Sequence, residues 1–162
     1  MKKYNTEEEQ LKAVKNDELA IKYIKNPSEN VQLAAVNKHW CTIQHIENPS
    51  EKVQLAAINN SELAIKYIEN PSEKVQLVVI NKNAHMIYYI KNPSEKVQLA
   101  AVKKNEYVIK YIENPSEKAQ LVSVIENKYA IQFIKNPSEK VRLILKMNKL
   151  EQLIMFNITM KP

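Results

Sequence analysis

The chain has 162 residues, of which 44% are hydrophobic, which suits one domain with a substantial core and excludes a disordered tail. It contains no glycine, which excludes the Gly-rich loops that hold phosphates in nucleotide-binding folds, and its only aspartate is Asp17. The net charge of +6 comes from 23 Lys and one Arg, a bias that an AT-rich genome produces by codon usage alone. The charge is therefore weak evidence for a nucleic-acid partner.

The first residues run directly into charged side chains, so we expect no signal peptide. No window approaches the ~18 uninterrupted apolar residues of a membrane span. Cys41 is the only cysteine and cannot form an internal disulfide, which favours a reducing compartment. We therefore predict a cytoplasmic protein, either bacterial or, if encoded by a phage, in the host cytosol.

Residues 1–25 are interpreted as a degenerate repeat that caps the N-terminal end. The segment Asn5-Thr6-Glu7 falls in register with the repeats that follow, and Leu11 and Ile21 occupy apolar positions of the pattern. Glu8, Glu9 and Lys12 stand where the other repeats have Lys, Val and Ala, which is typical of a polar terminal repeat.

The tetrapeptide Asn-Pro-Ser-Glu then recurs every 22 residues without insertion or deletion. Its copies begin at Asn26, Asn48, Asn70, Asn92, Asn114 and Asn136. Periods of this length are typical of stacked units that cannot bury their apolar faces alone. The pattern predicts an all-α solenoid of about seven 22-residue helix–turn–helix repeats in a single domain over 1–162, with five regular repeats over 26–135.

The tetrapeptide predicts the start of the first helix of each repeat. We expect Asn26 as the N-cap, Pro27 as the first helical residue and Glu29 as the third, in a variant of the capping box. The following Val-Gln-Leu-Ala-Ala-Val is apolar over most of its circumference, which predicts a helix sandwiched between neighbours. The Asn-rich turn after it is expected to supply a left-handed residue in place of glycine.

The second helix is predicted to be short and to place isoleucines three residues apart on one face. The two isoleucine columns are Ile21, Ile43, Ile65, Ile87, Ile109, Ile131 and Ile24, Ile46, Ile68, Ile90, Ile112, Ile134, with aromatic residues between them at Tyr23, Tyr67, Tyr89, Tyr111 and Phe133. A β-solenoid is the competing fold, and the Pro-Ser-Glu starts, the alanine pairs and the absence of alternating patterns argue against it.

Residues 136–162 form the last repeat and a tail, and they are unusually apolar. Ile144 and Leu145 replace the alanine pair, and Met155 and Phe156 follow with few charges nearby. We predict that these four residues form a homodimer interface or a partner-binding end. The alternative, that they close the core beneath the tail, remains open at this point.

The repeat Asn-Pro-Ser-Glu-Lys-Val-Gln-Leu-Ala-Ala-Val with a downstream Ile-x-Tyr-Ile resembles the variant leucine-rich repeat and the wider HEAT-like class over residues 5–157. The resemblance implies a right-handed superhelix with a concave binding side. It implies no specific ligand, because such repeats bind proteins and, in some lineages, DNA.

Two exposed columns are expected on the second helices. The first holds Lys22, Gln44, Lys66, Tyr88, Lys110 and Gln132, and the second holds Lys25, Glu47, Glu69, Lys91, Glu113 and Lys135. The lysines suit phosphate contacts, whereas the interleaved glutamates do not. This mixture favours a protein partner, with nucleic-acid backbone binding through the Lys columns as the alternative.

Departures from the repeat indicate where specific contacts lie. Trp40 is the only tryptophan and stands where other repeats have Glu, which makes it a candidate contact anchor. The hypothetical partner-binding residues are Trp40, His39, His45, His85, Lys22, Lys66, Tyr88 and Lys110. Cys41 and His45 are spaced i, i+4, but without further ligands or an oxyanion donor array they predict neither a zinc site nor a catalytic pair.

The predicted function is therefore a non-enzymatic binding or scaffold module. It engages a protein through its concave surface and its apolar C-terminal end, without catalytic residues, metal or cofactor. An inhibitor encoded by a phage or mobile element is one hypothesis for its context.

Overall fold

The computed structural model describes residues 4–147, and every regular element within them is helical. An α-helix of ten residues alternates with a 3₁₀ helix of six, labelled η. The elements are α1 Glu7–Asn16, η1 Glu18–Tyr23, α2 Glu29–Lys38, η2 Trp40–His45, α3 Glu51–Asn60, η3 Glu62–Tyr67, α4 Glu73–Lys82, η4 Ala84–Tyr89, α5 Glu95–Lys104, η5 Glu106–Tyr111, α6 Glu117–Glu126 and η6 Lys128–Phe133. A further α-helix begins at residue 139 and continues to residue 147, the last one described.

The helices belong to two compact units, Met1–Lys91 and Asn92–Pro162. In the first unit α1 packs on α2, α2 on α3 and α3 on α4, while η1 to η4 form a second row in the same order. In the second unit α5 packs on α6 and η5 on η6. The predicted all-α repeat fold is confirmed, because each 22-residue unit of sequence is one α-helix followed by one 3₁₀ helix.

The core lies between the α row and the 3₁₀ row of each unit. In α2, Val31, Ala35 and Val36 are fully buried, and the isoleucine columns of the 3₁₀ helices pack against such residues. Burying one isoleucine stabilises the fold by about 1.5–3 kcal/mol, so the columns are a main source of stability. The α-helices are not fully sandwiched, however, because the leucine of each α-helix, such as Leu33 or Leu55, is only half-buried.

The second helix of each repeat is a short 3₁₀ helix flanked at both ends by residues in extended conformation. In η3 the Ser61 hydroxyl accepts the N–H of Leu63 at 3.3 Å, and the N–H of Ile68 donates to the carbonyl of Ile65 at 3.3 Å. Side chains three residues apart eclipse one another in a 3₁₀ helix. Ile65 within η3 and Ile68, the extended residue that follows it, are both buried.

The start of each α-helix differs from the prediction. Serine is the N-cap, as at Ser50, whose Oγ accepts the N–H of Val53 at 3.4 Å, and Glu51 is the first helical residue rather than the third. The asparagine before the proline turns the chain, since Asn48 has a φ of 47° in the left-handed region. The left-handed residues thus precede the α-helices, and the residue after α2, His39, is extended with a φ of −150°.

The glutamate of the tetrapeptide joins one repeat to the next rather than capping its own helix. Ser50 Oγ donates to Glu29 Oε1 at 2.5 Å, and Ser72 Oγ donates to Glu51 Oε2 at 2.6 Å. These serine hydroxyls lower the pKa of Glu29 and Glu51, with smaller contributions from the lysine of the following repeat. In the second unit the lysine is the main partner, as in the 2.6 Å contact of Lys140 with Glu117.

The first repeat has the capping box that the later repeats lack. The Thr6 hydroxyl accepts the N–H of Glu9 at 3.2 Å, and the Glu9 carboxylate accepts the N–H of Thr6 at 3.2 Å. This fits its expected place as a polar terminal repeat. No helix within residues 4–147 combines the length and apolar composition that crossing a membrane requires.

Candidate functional site

Trp40 is the first residue of η2, is half-buried and has two other rings as neighbours. Its ring stacks on His39 with centroids 6.0 Å apart and an interplanar angle of 23°. The Tyr67 ring also lies near it, with centroids 6.3 Å apart and an interplanar angle of 35°. These three residues, which we call the aromatic ridge, connect two successive repeats of the first unit.

His39 holds the start of η2 as well as the ridge. Its Nδ1 accepts the N–H of Cys41 at 3.4 Å and lies 2.8 Å from Cys41 Sγ. Because Nδ1 of His39 accepts this hydrogen bond, the proton of a neutral imidazole lies on Nε2. Cys41 thus contacts His39 rather than His45, and within residues 4–147 no three His, Cys, Asp or Glu side chains group in a way that could hold a metal ion.

Lys66 and Tyr88, both predicted as contact residues, each contact Tyr89. The Lys66 ammonium lies 4.9 Å from the centre of the Tyr89 ring, and Tyr88 packs edge-to-face on Tyr89 with centroids 5.0 Å apart. Tyr88 is 63% exposed. His85 lies on the same 3₁₀ helix and is exposed. This part of the predicted site is therefore a cation and two rings at the η3–η4 junction.

Lys22 and Lys110 make the same kind of pair elsewhere. In η1 the Lys22 ammonium lies 4.7 Å from the centre of the Tyr23 ring. In the second unit Lys110 lies 4.8 Å from the Tyr111 ring and 5.8 Å from the Phe133 ring. The lysine columns therefore lie beside the aromatic column, which the sequence pattern did not indicate.

A groove of ≈ 670 Å³ opens beside the aromatic ridge, between the C-terminal ends of η2 and η3. We call it the η2–η3 groove, and its lining includes Gln44, His45, Glu47, Gln54, Tyr67 and Glu69. Tyr67 belongs to both the ridge and the groove. Of the predicted contact residues His45 lies in the groove. Glu47 and Glu69 were expected only as members of an exposed column, and Gln54 was not among the predicted contact residues.

The η2–η3 groove has two carboxylates and neither lysine nor arginine in its lining. The corresponding groove between η1 and η2 is lined by two lysines, Lys22 and Lys25, with Glu47. The groove between η5 and η6 is likewise lined by Lys110 and Lys135 with Glu113. The sequence contains a signal for this difference, because Glu47 and Glu69 are the only consecutive glutamates in their column.

Gln54 differs from its counterparts in the second unit. In each repeat the glutamine Nε2 donates to the carbonyl of the proline five residues earlier, at 2.9 Å between Gln54 and Pro49. This bond fixes the amide orientation, because only the NH₂ group can donate to a carbonyl. Gln98 Oε1 then accepts the N–H of Ser116 at 2.8 Å, whereas the buried Oε1 of Gln54 has no hydrogen-bond partner.

Part of the predicted C-terminal end lies within the described residues. Ile144 and Leu145 are half-buried on the helix that begins at residue 139, and their neighbour Met147 is 59% exposed. Met155 and Phe156 lie outside the described residues.

No protein-family model matches this chain, and no curated protein or solved structure is significantly similar to it. The function proposed below therefore rests on the residues and geometry of this chain alone.

Proposed function

We propose that this chain is a non-enzymatic binding module that engages a protein through the exposed side chains of η1 to η4. The observation that carries the proposal is the aromatic ridge. Trp40 occupies the position of Glu62 in the next repeat, and η3 forms the same 3₁₀ helix with Glu62 there. The fold therefore does not require a tryptophan at this position, whereas half-buried tryptophans are the typical anchors of protein interfaces.

The charges around the ridge also favour a protein partner. Lys22 and Lys66 are each placed over a tyrosine ring, while Glu47 and Glu69 lie in the adjacent groove. Alternating charges and rings match a polar, aromatic-rich protein interface better than a continuous phosphate backbone. In this proposal the protein acts by occupying its partner's surface, without catalysis and without a cofactor.

The proposal is tested by affinity capture from the native host, with wild-type protein and Trp40→Ala as baits. Tyr129→Ala is the matched control, because Tyr129 is a 63% exposed aromatic residue of the second unit, outside the ridge. We expect the partner to bind the wild type and the control at least about tenfold better than Trp40→Ala. A partner list that is the same for all three baits contradicts the proposal, provided that circular dichroism shows all three folded.

The apolar C-terminal residues are the second part of the proposal. We propose that Ile144 and Leu145, with Met155 and Phe156, join a second copy of the chain or extend the contact with the partner. Size-exclusion chromatography with light scattering tests the first option. A monomer for the wild type, unchanged by Leu145→Glu, rules out the dimer and leaves the partner contact to be tested by capture with the same variant.

Nucleic-acid binding is the second candidate function, and the lysine–tyrosine pairs favour it. A ring beside a cation, as at Tyr23 and Lys22 or Tyr111 and Lys110, is the element from which single-strand stacking platforms are built. Fluorescence anisotropy with a labelled oligothymidine over a salt series decides the matter. Affinity that disappears near physiological salt, without any loss in Tyr23→Ala, is nonspecific attraction to a chain of charge +6 and contradicts this candidate.

Two broader assignments belong to the same proposal. We propose that the repeats are related to the variant leucine-rich and HEAT-like class, which the 22-residue pairing of helices supports. We also propose a cytoplasmic location, in a bacterium or in the host of a phage whose inhibitor this protein would be. Cell fractionation of the native host tests the location.

A further inference from the structure

The η2–η3 groove differs in charge from the η1–η2 and η5–η6 grooves, which each have two lysines. Glu47 and Glu69 are both exposed and both line it, and none of its lining residues is a lysine or arginine. The nearest predicted lysine, Lys66, is placed over the Tyr89 ring of the following 3₁₀ helix and is not among the lining residues. An occupant of this groove therefore gains from positive charge, although the chain as a whole has a net charge of +6.

The groove also has an unused hydrogen-bond acceptor. Gln54 is 9% exposed, and its Oε1 has no partner although its Nε2 is bonded to the Pro49 carbonyl. A buried polar atom without a partner costs about 1–3 kcal/mol. Because this oxygen is itself buried, a donor in the groove reaches it only when the Gln54 side chain turns toward the groove. Such a donor recovers part of that cost, so the groove favours an occupant with several N–H groups.

The third feature is the aromatic wall. Tyr67 lines the groove and is 43% exposed, and its ring lies next to Trp40 on the ridge. Tyrosine and tryptophan faces attract cations, most often the planar guanidinium of arginine. The same residue that connects the ridge to the groove thus offers a stacking surface to a cationic group.

We infer that the η2–η3 groove binds an arginine side chain of the protein partner. A guanidinium has five N–H donors in a fixed plane, so it offers donors to the carboxylates and to Gln54 and a flat face to Tyr67. A lysine ammonium has three donors on one nitrogen and no planar face, so it can pair with the carboxylates but cannot stack flat on Tyr67 while doing so. The inference rests on the proposed function and adds the chemistry of the contact: the ridge anchors the partner and the groove selects arginine.

The test uses the full chain and a short peptide, acetyl-Ala-Ser-Arg-Ser-Ala-amide, titrated by ¹H–¹⁵N NMR. Its matched control replaces arginine by citrulline, which has nearly the same shape but no charge. We expect saturable shifts at the Gln54 side-chain amide and at Glu47 and Glu69, with affinity for the citrulline peptide lower by about tenfold or more. Nonspecific attraction does not explain such binding, because a chain of charge +6 repels a cationic peptide at long range.

The protein variants separate the groove from general electrostatics. Glu47→Gln combined with Glu69→Gln should weaken the arginine peptide about tenfold, since it removes both charges from exposed positions that do not support the core. Glu113→Gln is the control, because Glu113 occupies the same column in the second unit. Equal affinity for the two peptides, an equal effect of Glu113→Gln, or shifts at the groove with oligothymidine instead of the peptide would each overturn the inference.

The inference and the proposed function fail in different ways. If capture of a partner depends on Trp40 but the arginine peptide shifts no groove residue, the binding module stands and arginine recognition is rejected. If the peptide binds in the groove and no captured protein depends on Trp40, the groove stands as an arginine site and the ridge-anchored partner is rejected.

Discussion

The first and second units use the same scaffold but differ at their exposed and polar positions. In both units ten-residue α-helices alternate with six-residue 3₁₀ helices, and Ile65 and the equivalent Ile109 are each 1% exposed. The described groove of the second unit has two lysines, like the η1–η2 groove of the first unit, but the first unit also has the aromatic ridge and a groove with two carboxylates. The isoleucine core is thus the same in both units while the exposed residues differ. This is expected if both units must fold but only the first carries the ridge that binds a partner.

The glutamine column makes the comparison sharper, because identical residues are used differently. Gln98 and Gln120 in the second unit accept backbone N–H groups at 2.8 Å and 2.9 Å. Gln32 and Gln54 in the first unit keep the bond to proline but leave Oε1 without a partner. The second unit is therefore the better satisfied of the two, and the first unit keeps buried acceptors without a partner.

The largest expected effect tests whether the two cores are equivalent. Ile65→Ala and Ile109→Ala each remove buried methyl groups from the same position of the repeat, and each should lower the free energy of unfolding by about 2–5 kcal/mol. Urea denaturation followed by circular dichroism measures both. A loss below about 1 kcal/mol in one unit only would show that the cores are packed differently.

The glutamine difference predicts an unequal response to the same substitution. Gln98→Leu leaves the Ser116 N–H and the Pro93 carbonyl without their partner, which should cost about 1–3 kcal/mol. Gln54→Leu loses only the bond to Pro49 and removes an unpaired oxygen, so its cost should be smaller by about 1 kcal/mol. Equal costs in urea denaturation would mean that Gln54 Oε1 is satisfied in solution.

The serine caps predict a smaller difference. Ser50→Ala and Ser116→Ala each remove an N-cap acceptor, which costs about 1 kcal/mol. Ser50 also donates to Glu29, so its loss should cost a few tenths of a kcal/mol more. Thermal unfolding of the two variants and of Ser50→Thr, which keeps the hydroxyl, measures the effect. A larger loss for Ser116→Ala would contradict the bonding described.

The smallest effect is expected from pH. The Ser50 hydroxyl holds the pKa of Glu29 below its ordinary value of 4.5, and Ser72 does the same for Glu51. A carboxylate with a lowered pKa contributes stability that is fully present above 4.5 and is lost as the pH falls through the lowered value. The urea concentration at the midpoint of unfolding should therefore decrease as the pH is lowered below 4.5. It should decrease less in the double variant Glu29→Gln with Glu51→Gln. An identical pH profile for that variant would contradict the ionised pairing.

Much of the fold follows from the sequence, because the period and the isoleucine columns allow few solutions. The type of the second helix does not follow, since a segment such as Glu62–Tyr67 suits an α-helix or a 3₁₀ helix, and the extended residues at its ends decide. The cap was assigned wrongly because Asn and Ser are about equally good N-caps two residues apart. The structure shows that Asn26, Asn48 and Asn92 have a left-handed φ, whereas an N-cap is extended. The serine is therefore the cap, and the sequence alone does not show this.

The site was only partly predictable. Trp40 is marked by its departure from the repeat, and the paired Glu47 and Glu69 can be read from their column once the column is known to line grooves. The sequence does not distinguish Gln54, because glutamine occupies the same position in the neighbouring repeats. Only the structure shows that Gln98 Oε1 accepts a serine N–H and that Gln54 Oε1 does not. The lysine–tyrosine pairs do not follow from the sequence, because the ring can belong to the same 3₁₀ helix, as for Lys22 and Tyr23, or to the next one, as for Lys66 and Tyr89.

The stacking of Trp40 between His39 and Tyr67 gives the first unit an internal optical label. The chain has one tryptophan, so its indole emission reports on this position and no other, while the tyrosines elsewhere can be left unexcited at long wavelength. Any molecule that covers the ridge or changes the ring packing should alter that emission. Binding to the first unit can thus be followed by the tryptophan fluorescence of the unmodified protein, and the second unit contributes no tryptophan emission.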